Sequence, residues 1–309
     1  MREEKDGKEV EEIQEAKERR GGVAAFFYLD GTLVALPSLE RRFFSMLRYR
    51  RAIPKKNYLL WMAEAVRLAP RGIAAMAQAN KMYLRGVQGF CGDGGRSLLV
   101  YSSLQMPVLH ESQTEIADRL DSRERTRRQA RMPVPLFFPE AMERVAWHAQ
   151  CGHAIVLVSG TLAPLAKEVA IALAARLAVR GIAASIGVCA TRLEEANGKW
   201  TGRIVGEAMF GEAKARAVRR LAAEEGFELA GCYAYGDGAS DRWLLDAVGK
   251  PAAVNPSEDL ARIARRRDWP VLWWREDKEN ETQRHPDRVG AGAVHRERLA
   301  VGEQREFLG

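Results

Sequence analysis

Cysteine is too scattered in this chain to build anything from. Cys91, Cys151, Cys189 and Cys232 include no Cys-x-x-Cys pair. That excludes a cysteine zinc site and a disulfide framework, and it leaves free thiols in a reducing compartment. Long apolar runs are missing too. The best candidate, 169–179, is short and carries Arg176, so no transmembrane helix is expected. The opening Met-Arg-Glu-Glu-Lys lacks the apolar stretch of a signal peptide, and the expected location is cytoplasmic. Acid is scarce in one region. Residues 41–88 hold eleven Lys/Arg (Arg41, Arg42, Arg48, Arg50, Arg51, Lys55, Lys56, Arg67, Arg71, Lys81, Arg85) against Glu64 alone. With a whole-chain charge of +7, this one segment holds the entire basic surplus. It needs a local explanation.

What remains is a strand–helix alternation between two charged ends. Residues 1–20 mix eight acids with six bases, which reads as a solvated, disordered tail, and residues 275–309 read the same way. Between them Val23–Phe27, Ala154–Val158, Cys232–Tyr235, Ala252–Val254 and Val271–Trp273 are short apolar runs of the kind buried on both faces of a parallel sheet. Helical patterns separate them at Pro139–Gln150, Leu162–Arg180, Ala213–Glu225, Asp241–Val248 and Ser257–Arg267. The alternation predicts an α/β fold with a doubly wound parallel sheet. Asn197-Gly198, between Ala190–Glu194 and Trp200–Val205, predicts a hairpin with a type I′ turn. Residues 37–138 interrupt the alternation and read as mostly helical. Pro54 and Pro70 suit helix starts, and Leu109–Arg131 is a long charged amphipathic pattern. The expected division is a core of 21–36 and 139–274 with an inserted helical cap over 37–138.

Open α/β sheets bind ligands beyond the carboxyl ends of their strands. Asp30, Ser159 and Asp237 each fall just past a different predicted strand. Ser159-Gly160-Thr161 leads into a predicted helix, where a hydroxyl and free N–H groups make a phosphate site; a plain cap by Ser159 or Thr161 uses the same letters. Tyr235-Gly-Asp-Gly-Ala-Ser-Asp241 places two carboxylates four residues apart among small residues. One such block is ordinary. Four in this order, Asp30-Gly-Thr, Ser159-Gly-Thr, Lys214 at a helix start and Gly236-Asp237…Asp241, are not.

Together these blocks resemble the haloacid dehalogenase superfamily, in particular its phosphoserine-phosphatase-like subfamily IB, over residues 23–36 and about 139–274. The resemblance implies a Mg²⁺-dependent phosphatase acting on a small phosphorylated substrate through an aspartyl-phosphate. It makes Asp30 the general acid/base, with its backbone carbonyl on the metal. Ser159, Gly160, Thr161 and Lys214 would hold the phosphate, Asp237 would ligate the metal directly, and Asp241 would hold a metal-bound water. It also exposes a departure. The family's first motif is Asp-x-Asp-Gly-Thr, whose first Asp attacks phosphorus, and this chain has Tyr28 there. The resemblance therefore implies a hydrolase impaired at its nucleophile, or a pseudo-phosphatase that binds a phosphate ligand.

In the basic segment, Phe43, Phe44, Tyr49, Tyr58, Trp61 and Tyr83 are interleaved with the cations. A solvated helical cap explains this pattern. So do an anionic substrate and an anionic membrane surface, which would make the protein peripheral to the membrane; nucleic acid ranks last because no nucleic-acid motif is present. Family phosphoserine phosphatases grip the substrate amine with a glutamate seven residues after the acid/base Asp. Here that position is Pro37, with Glu40 three residues on, so phosphoserine is not the expected substrate.

Overall fold

The computed structural model describes residues 22–72, 76, 78–88 and 137–274. The two tails, the Leu109–Arg131 pattern and Cys91 lie outside the described residues. Apolar segments buried on both faces build the centre. β1 (Ala24–Tyr28) joins β2 (Ala154–Leu162), β3 (Ile186–Thr191), β6 (Tyr233–Gly236), β7 (Lys250–Val254) and β8 (Val271–Leu272) in one parallel sheet. Its order is β3-β2-β1-β6-β7-β8. The side chains of Ala25 and Phe27 enter one core layer and those of Ala24 and Phe26 the other, as the period of two requires.

α1 (Leu39–Tyr49) and α2 (Lys55–Leu68) follow β1, and α3 (Pro139–Gln150) leads into β2. α4 (Ala163–Val179), α5 (Glu212–Glu225), the one-turn α6 (Arg242–Leu245) and α7 (Glu258–Arg266) complete the alternation. β4 (Leu193–Ala196) and β5 (Lys199–Ile204) form the expected hairpin, with φ of 52° at Asn197 and 71° at Gly198. Both values are positive, as a type I′ turn demands. Pro54 immediately precedes α2, while Pro70 sits in a single 3₁₀ turn, Ala69–Arg71, at its end. Among the described residues no helix is long and apolar enough to cross a membrane.

Some expected boundaries move. Ala190 and Thr191 end β3 of the main sheet, and the hairpin strand begins only at Leu193. β2 runs on through Ser159, Gly160 and Thr161 to Leu162, bulging against β3 between Ser159 and Leu162. α4 thus starts at Ala163 behind Leu162, and no side chain caps it. Ser159 and Thr161 are not helix caps, because they are still in the strand.

A buried polar cluster near the start of β2 ties α3 to β6. The Nδ1 atoms of His148 and His153 lie 2.8 Å apart, so one carries the proton and the other accepts it, and His148 Nε2 is 2.9 Å from the Tyr235 hydroxyl. Phe27 stacks on Tyr235 with ring centres 4.6 Å apart. Burial pushes the His148 pKa down to about 3, helped by His153, Arg144 and Lys250. Folding therefore holds His148 neutral. The stability this contributes is complete above the unfolded value near 6.5 and is lost as pH falls from there toward 3. We predict that, between pH 6.5 and 4.5, urea unfolding shows the parent losing about 2–3 kcal/mol more than a His148→Gln variant. The carboxylates are the same in both proteins, so their contribution cancels. Parallel pH profiles would show that His148 does not govern acid sensitivity.

Candidate active site

β1 lies between β2 and β6, and the helix before β2 packs in one core layer while the helix before β6 packs in the other. That is the switch point at which open α/β sheets place ligands. The carboxyl ends of these three strands bring Tyr28 and Asp30, Ser159–Thr161, and Gly236–Asp237 together, and α5 adds Lys214 from its third position.

Tyr28 is the last residue of β1 and pairs with Val158. Strand alternation puts its ring on the same face as Ala24 and Phe26, toward α5. There the Lys214 ammonium sits 3.6 Å from the ring centre. Lys214 is also 2.5 Å from Asp241 Oδ1, in an ion pair whose side chains are 1% and 0% exposed. The second Asp241 oxygen accepts the backbone N–H groups of Asp237 and Gly238 at 3.2 and 3.0 Å. Asp241 thus shapes the loop that carries Asp237 and positions Lys214. Asp241 closes the 3₁₀ turn Ala239–Asp241 and is the N-cap position of α6, although its carboxylate turns back on the loop and does not cap that helix.

Asp30 is buried, and its Oδ1 accepts the Leu39 N–H at 2.7 Å. Burial raises its pKa to about 6, against the lowering effect of that hydrogen bond. Asp237 is raised to about 7, by burial and then by the Asp241 charge, with the Thr32 hydroxyl 3.1 Å away pulling it down. Burial, followed by Asp241, Asp30 and Asp237, lifts the Tyr28 phenol well above its ordinary value. Tyr28 is therefore a protonated phenol at neutral pH. Asp30, Asp237 and Asp241 all lie in the field of Lys214, with Arg42 also acting on Asp30, and such a cluster of carboxylates favours further positive charge.

The Asp237 carboxylate, packed against the backbone of Gly31 just after Asp30, is an oxygen donor available to a cation. Gly31 makes room for it: a Cβ there would come within 2.3 Å of Asp237 Oδ2, and its φ of +86° suits only glycine. The fit is to a hard cation that retains waters, since such an ion needs one or two carboxylates. Among the described residues there is no group of three His, Cys, Asp or Glu side chains placed to hold a metal.

On the β2 side, the Thr161 N–H donates to Ser159 Oγ at 3.1 Å, and the Thr191 hydroxyl donates to the Gly160 carbonyl at 2.9 Å. Thr161 Oγ1 is buried with no hydrogen-bond partner among the described residues. An orphaned buried hydroxyl costs about 1–3 kcal/mol, and an oxyanion beside it would satisfy it. Gln78 Oε1 comes within 3.0 Å of where a Cβ on Gly160 would sit, so the segment between α2 and residue 88 reaches the strand ends. Beside it, Ser38, Glu40, Phe44, Trp61, Lys81 and Tyr83 help line a cavity of about 240 Å³. Glu40 Oε1 takes both the Lys81 ammonium at 2.5 Å and the Tyr83 hydroxyl at 2.8 Å.

The sequence-predicted residues Tyr28, Asp30, Ser159, Gly160, Thr161, Lys214, Asp237 and Asp241 all belong to these three strand ends and the two helical turns beside them. Five other residues join them. Thr32 was visible within the Asp-Gly-Thr block. Thr191 and Gln78 left no signal, and Glu40 and Lys81 stood out only as single charges, because each contact joins positions distant in sequence.

The fold and these strand ends define a ligand site at the switch point of an open parallel α/β sheet. The chain belongs to the haloacid dehalogenase-like hydrolase family, whose family model matches residues 25–246. It is 32% identical over 257 residues to "Probable phosphatase Rv3661" of Mycobacterium tuberculosis (strain ATCC 25618 / H37Rv), covering 82% of this chain and 76% of that protein. Over 164 residues it is 33% identical to "Phosphoserine phosphatase SerB1" of the same organism, which covers 53% of this chain and 50% of that one. A crystal structure of a protein of unknown function from Bordetella pertussis Tohama I aligns at a TM-score of 0.50 with 25% identity, covering 81% of this chain and 98% of its own.

Proposed function

We propose that this chain is a phosphomonoester hydrolase of the phosphoserine-phosphatase-like subfamily IB, with its aspartyl-phosphate chemistry impaired because Tyr28 stands in the nucleophile's place. One observation carries the reading. The buried Lys214 ammonium, which neutralises a carboxylate nucleophile and phosphate in this family, covers the ring of Tyr28 instead. A phosphate monoester would be held by Lys214, by the Ser159 hydroxyl and the Gly160 backbone, and by the unpartnered Thr161 hydroxyl. Asp30, with a pKa raised to about 6, is suited to exchange a proton with the leaving oxygen near neutral pH. α1 and α2 act as part of a cap over the substrate. Pro37 stands where the family's amine-gripping glutamate would be, and Glu40 already holds Lys81 and Tyr83 through one oxygen, so a small phosphorylated substrate other than phosphoserine fits best. The test is hydrolysis of a phosphomonoester panel by the parent and by Tyr28→Asp, side by side.

Mg²⁺ is the cation this site would take, on Asp237 and the Asp30 carbonyl with Asp241 behind them. Bound there, it would neutralise charge on the phosphoryl oxygens. With no carboxylate at position 28, affinity is low, because affinity follows ligand charge and count. We predict that Tyr28→Asp tightens Mg²⁺ at least about tenfold in calorimetry. Binding should strengthen with pH through about 7, where Asp237 loses its proton. An affinity unchanged by the substitution would place the ion away from Tyr28.

A second reading, a pseudo-phosphatase that binds a phosphate ligand without turnover, draws on the same ring. A phenol kept protonated by burial is no nucleophile.

A further inference from the structure

α2 carries its apolar surface on the wrong side for a helix of a protein that meets only water. Leu59, Met62 and Val66 are 71%, 65% and 76% exposed, and their i, i+3, i+7 spacing puts them on one outward face. The rotation of the helix is fixed from the opposite side. Asn57 is buried, and its amide donates to the carbonyls of Tyr83 and Arg85 at 3.0 and 2.7 Å. Trp61 packs on Phe44 and Tyr83, and Leu68 is buried. The outward stripe is therefore held in place by the inward anchors.

Cations stand at one end of that stripe. Arg48, Arg50 and Arg51 close α1, and Lys55 and Lys56 open α2; all five are exposed. Tyr49, 89% exposed, sits among them. The one acid on α2, Glu64, is engaged by Arg67 at its far end. An exposed aliphatic stripe beside a cluster of exposed cations and an aromatic ring is the chemistry of an anionic lipid surface: acyl chains take the aliphatic groups, headgroup phosphates the cations.

We propose that the outer face of α2, with the basic turn before it, docks this protein on anionic bilayers. The occupant is a bilayer rather than a second copy of the chain. Three side chains on a convex helix fall far short of the roughly 800 Å² each partner buries in a stable complex, and two copies would bring the same cations face to face. The inner face of α2 lines the substrate cavity through Trp61, so docking seats that cavity beside the membrane. The sequence's basic segment alone did not single out this stripe.

The test is cosedimentation of the full chain with vesicles of phosphatidylcholine alone or mixed with phosphatidylglycerol, read without any turnover, so it stands apart from the phosphatase reading. Binding is expected only to the mixed vesicles and should weaken with added salt. The triple variant Leu59→Ser/Met62→Ser/Val66→Ser should lose on the order of a hundredfold in partitioning, and Lys55→Gln/Lys56→Gln roughly tenfold. All of these side chains are exposed, and an unchanged melting transition checks that each variant is folded. Equal binding by the parent and the triple variant, or no binding at low salt, would overturn the proposal. So would a parent dimer that the triple variant converts to monomer. Protection of Leu59, Met62 and Val66 from hydroxyl-radical labelling in the vesicle-free protein would overturn it too, by showing that the chain covers the stripe itself.

Discussion

Tyr28→Asp is expected to raise Mg²⁺-dependent phosphomonoester hydrolysis by a factor on the order of 10⁴–10⁶, the range lost when a nucleophile is removed from an otherwise intact catalytic set. The residues proposed for the rest of that set are all held: Asp30 is buried beside Leu39, Lys214 is locked by Asp241, and Asp237 is held by Thr32 and its loop. The tyrosine ring does two things a carboxylate would not. It reaches further than an aspartate side chain would, and it offers Lys214 a π face where the introduced carboxylate would offer a full charge. The substitution exchanges a cation–π contact, worth about 2 kcal/mol when desolvated, for an ion pair, and it opens the space the ring fills. It also crowds a fourth carboxylate into the cluster. The variant should therefore melt lower than the parent without metal and recover as Mg²⁺ is added. Tyr28→Asn, with the same shape and no charge, should stay near the parent's rate. Equal, Asp30-dependent turnover in the parent and Tyr28→Asp would show that Tyr28 is no handicap.

The parts of this molecule that could be read from its letters are those whose physics is local. Pro139–Gln150 forms the helix that its pattern and leading proline announce, and Asn197-Gly198 makes its turn because both residues tolerate positive φ. β1 was legible because nothing but a doubly buried strand explains Ala-Ala-Phe-Phe in that place. β3 was not. It is an edge strand, half-exposed and interrupted by Gly187, so neither a continuous apolar run nor a clean alternation marks it. The bulge that keeps Ser159–Thr161 in strand conformation arises from pairing with β3, a partner 31 residues away in sequence for Ser159 and Ala190. In the site, motif order located the strand-end residues, but their partnerships depend on folding. That Lys214 would stack on Tyr28, and that Asp241 would spend its carboxylate on Lys214 and two N–H groups, follows only once α5 is packed against the sheet. On α2, Leu59, Leu60, Trp61 and Met62 are consecutive, so the pattern gives a helix without saying which face turns inward. Asn57 decides it, by bonding to a turn 26 and 28 residues further on.

Lys214→Met is expected to destabilise the fold by about 3–5 kcal/mol, the cost of leaving one member of a buried ion pair uncompensated. Both side chains are sealed from solvent, so water cannot replace the lost partner. Asp241 would keep only the two backbone N–H groups, while the carboxylate of Asp237 remains close enough to repel it. The loop 236–241 should loosen as a unit, since Asp241 is what its N–H groups turn toward. Asp241→Asn should cost less, because the orphaned ammonium keeps the Tyr28 ring 3.6 Å away as a partner, and the carboxamide oxygen can still accept one N–H. The double variant Lys214→Met/Asp241→Asn removes both charges together. Its cost should fall short of the sum of the single costs by roughly 2 kcal/mol, a coupling within the range for side chains in direct contact. Urea unfolding of the four proteins measures this cycle. A Lys214→Met protein within about 0.5 kcal/mol of the parent, the range of ordinary surface changes, would mean that the loop is held by its small residues alone. The lysine would then sit in the core only to meet a ligand.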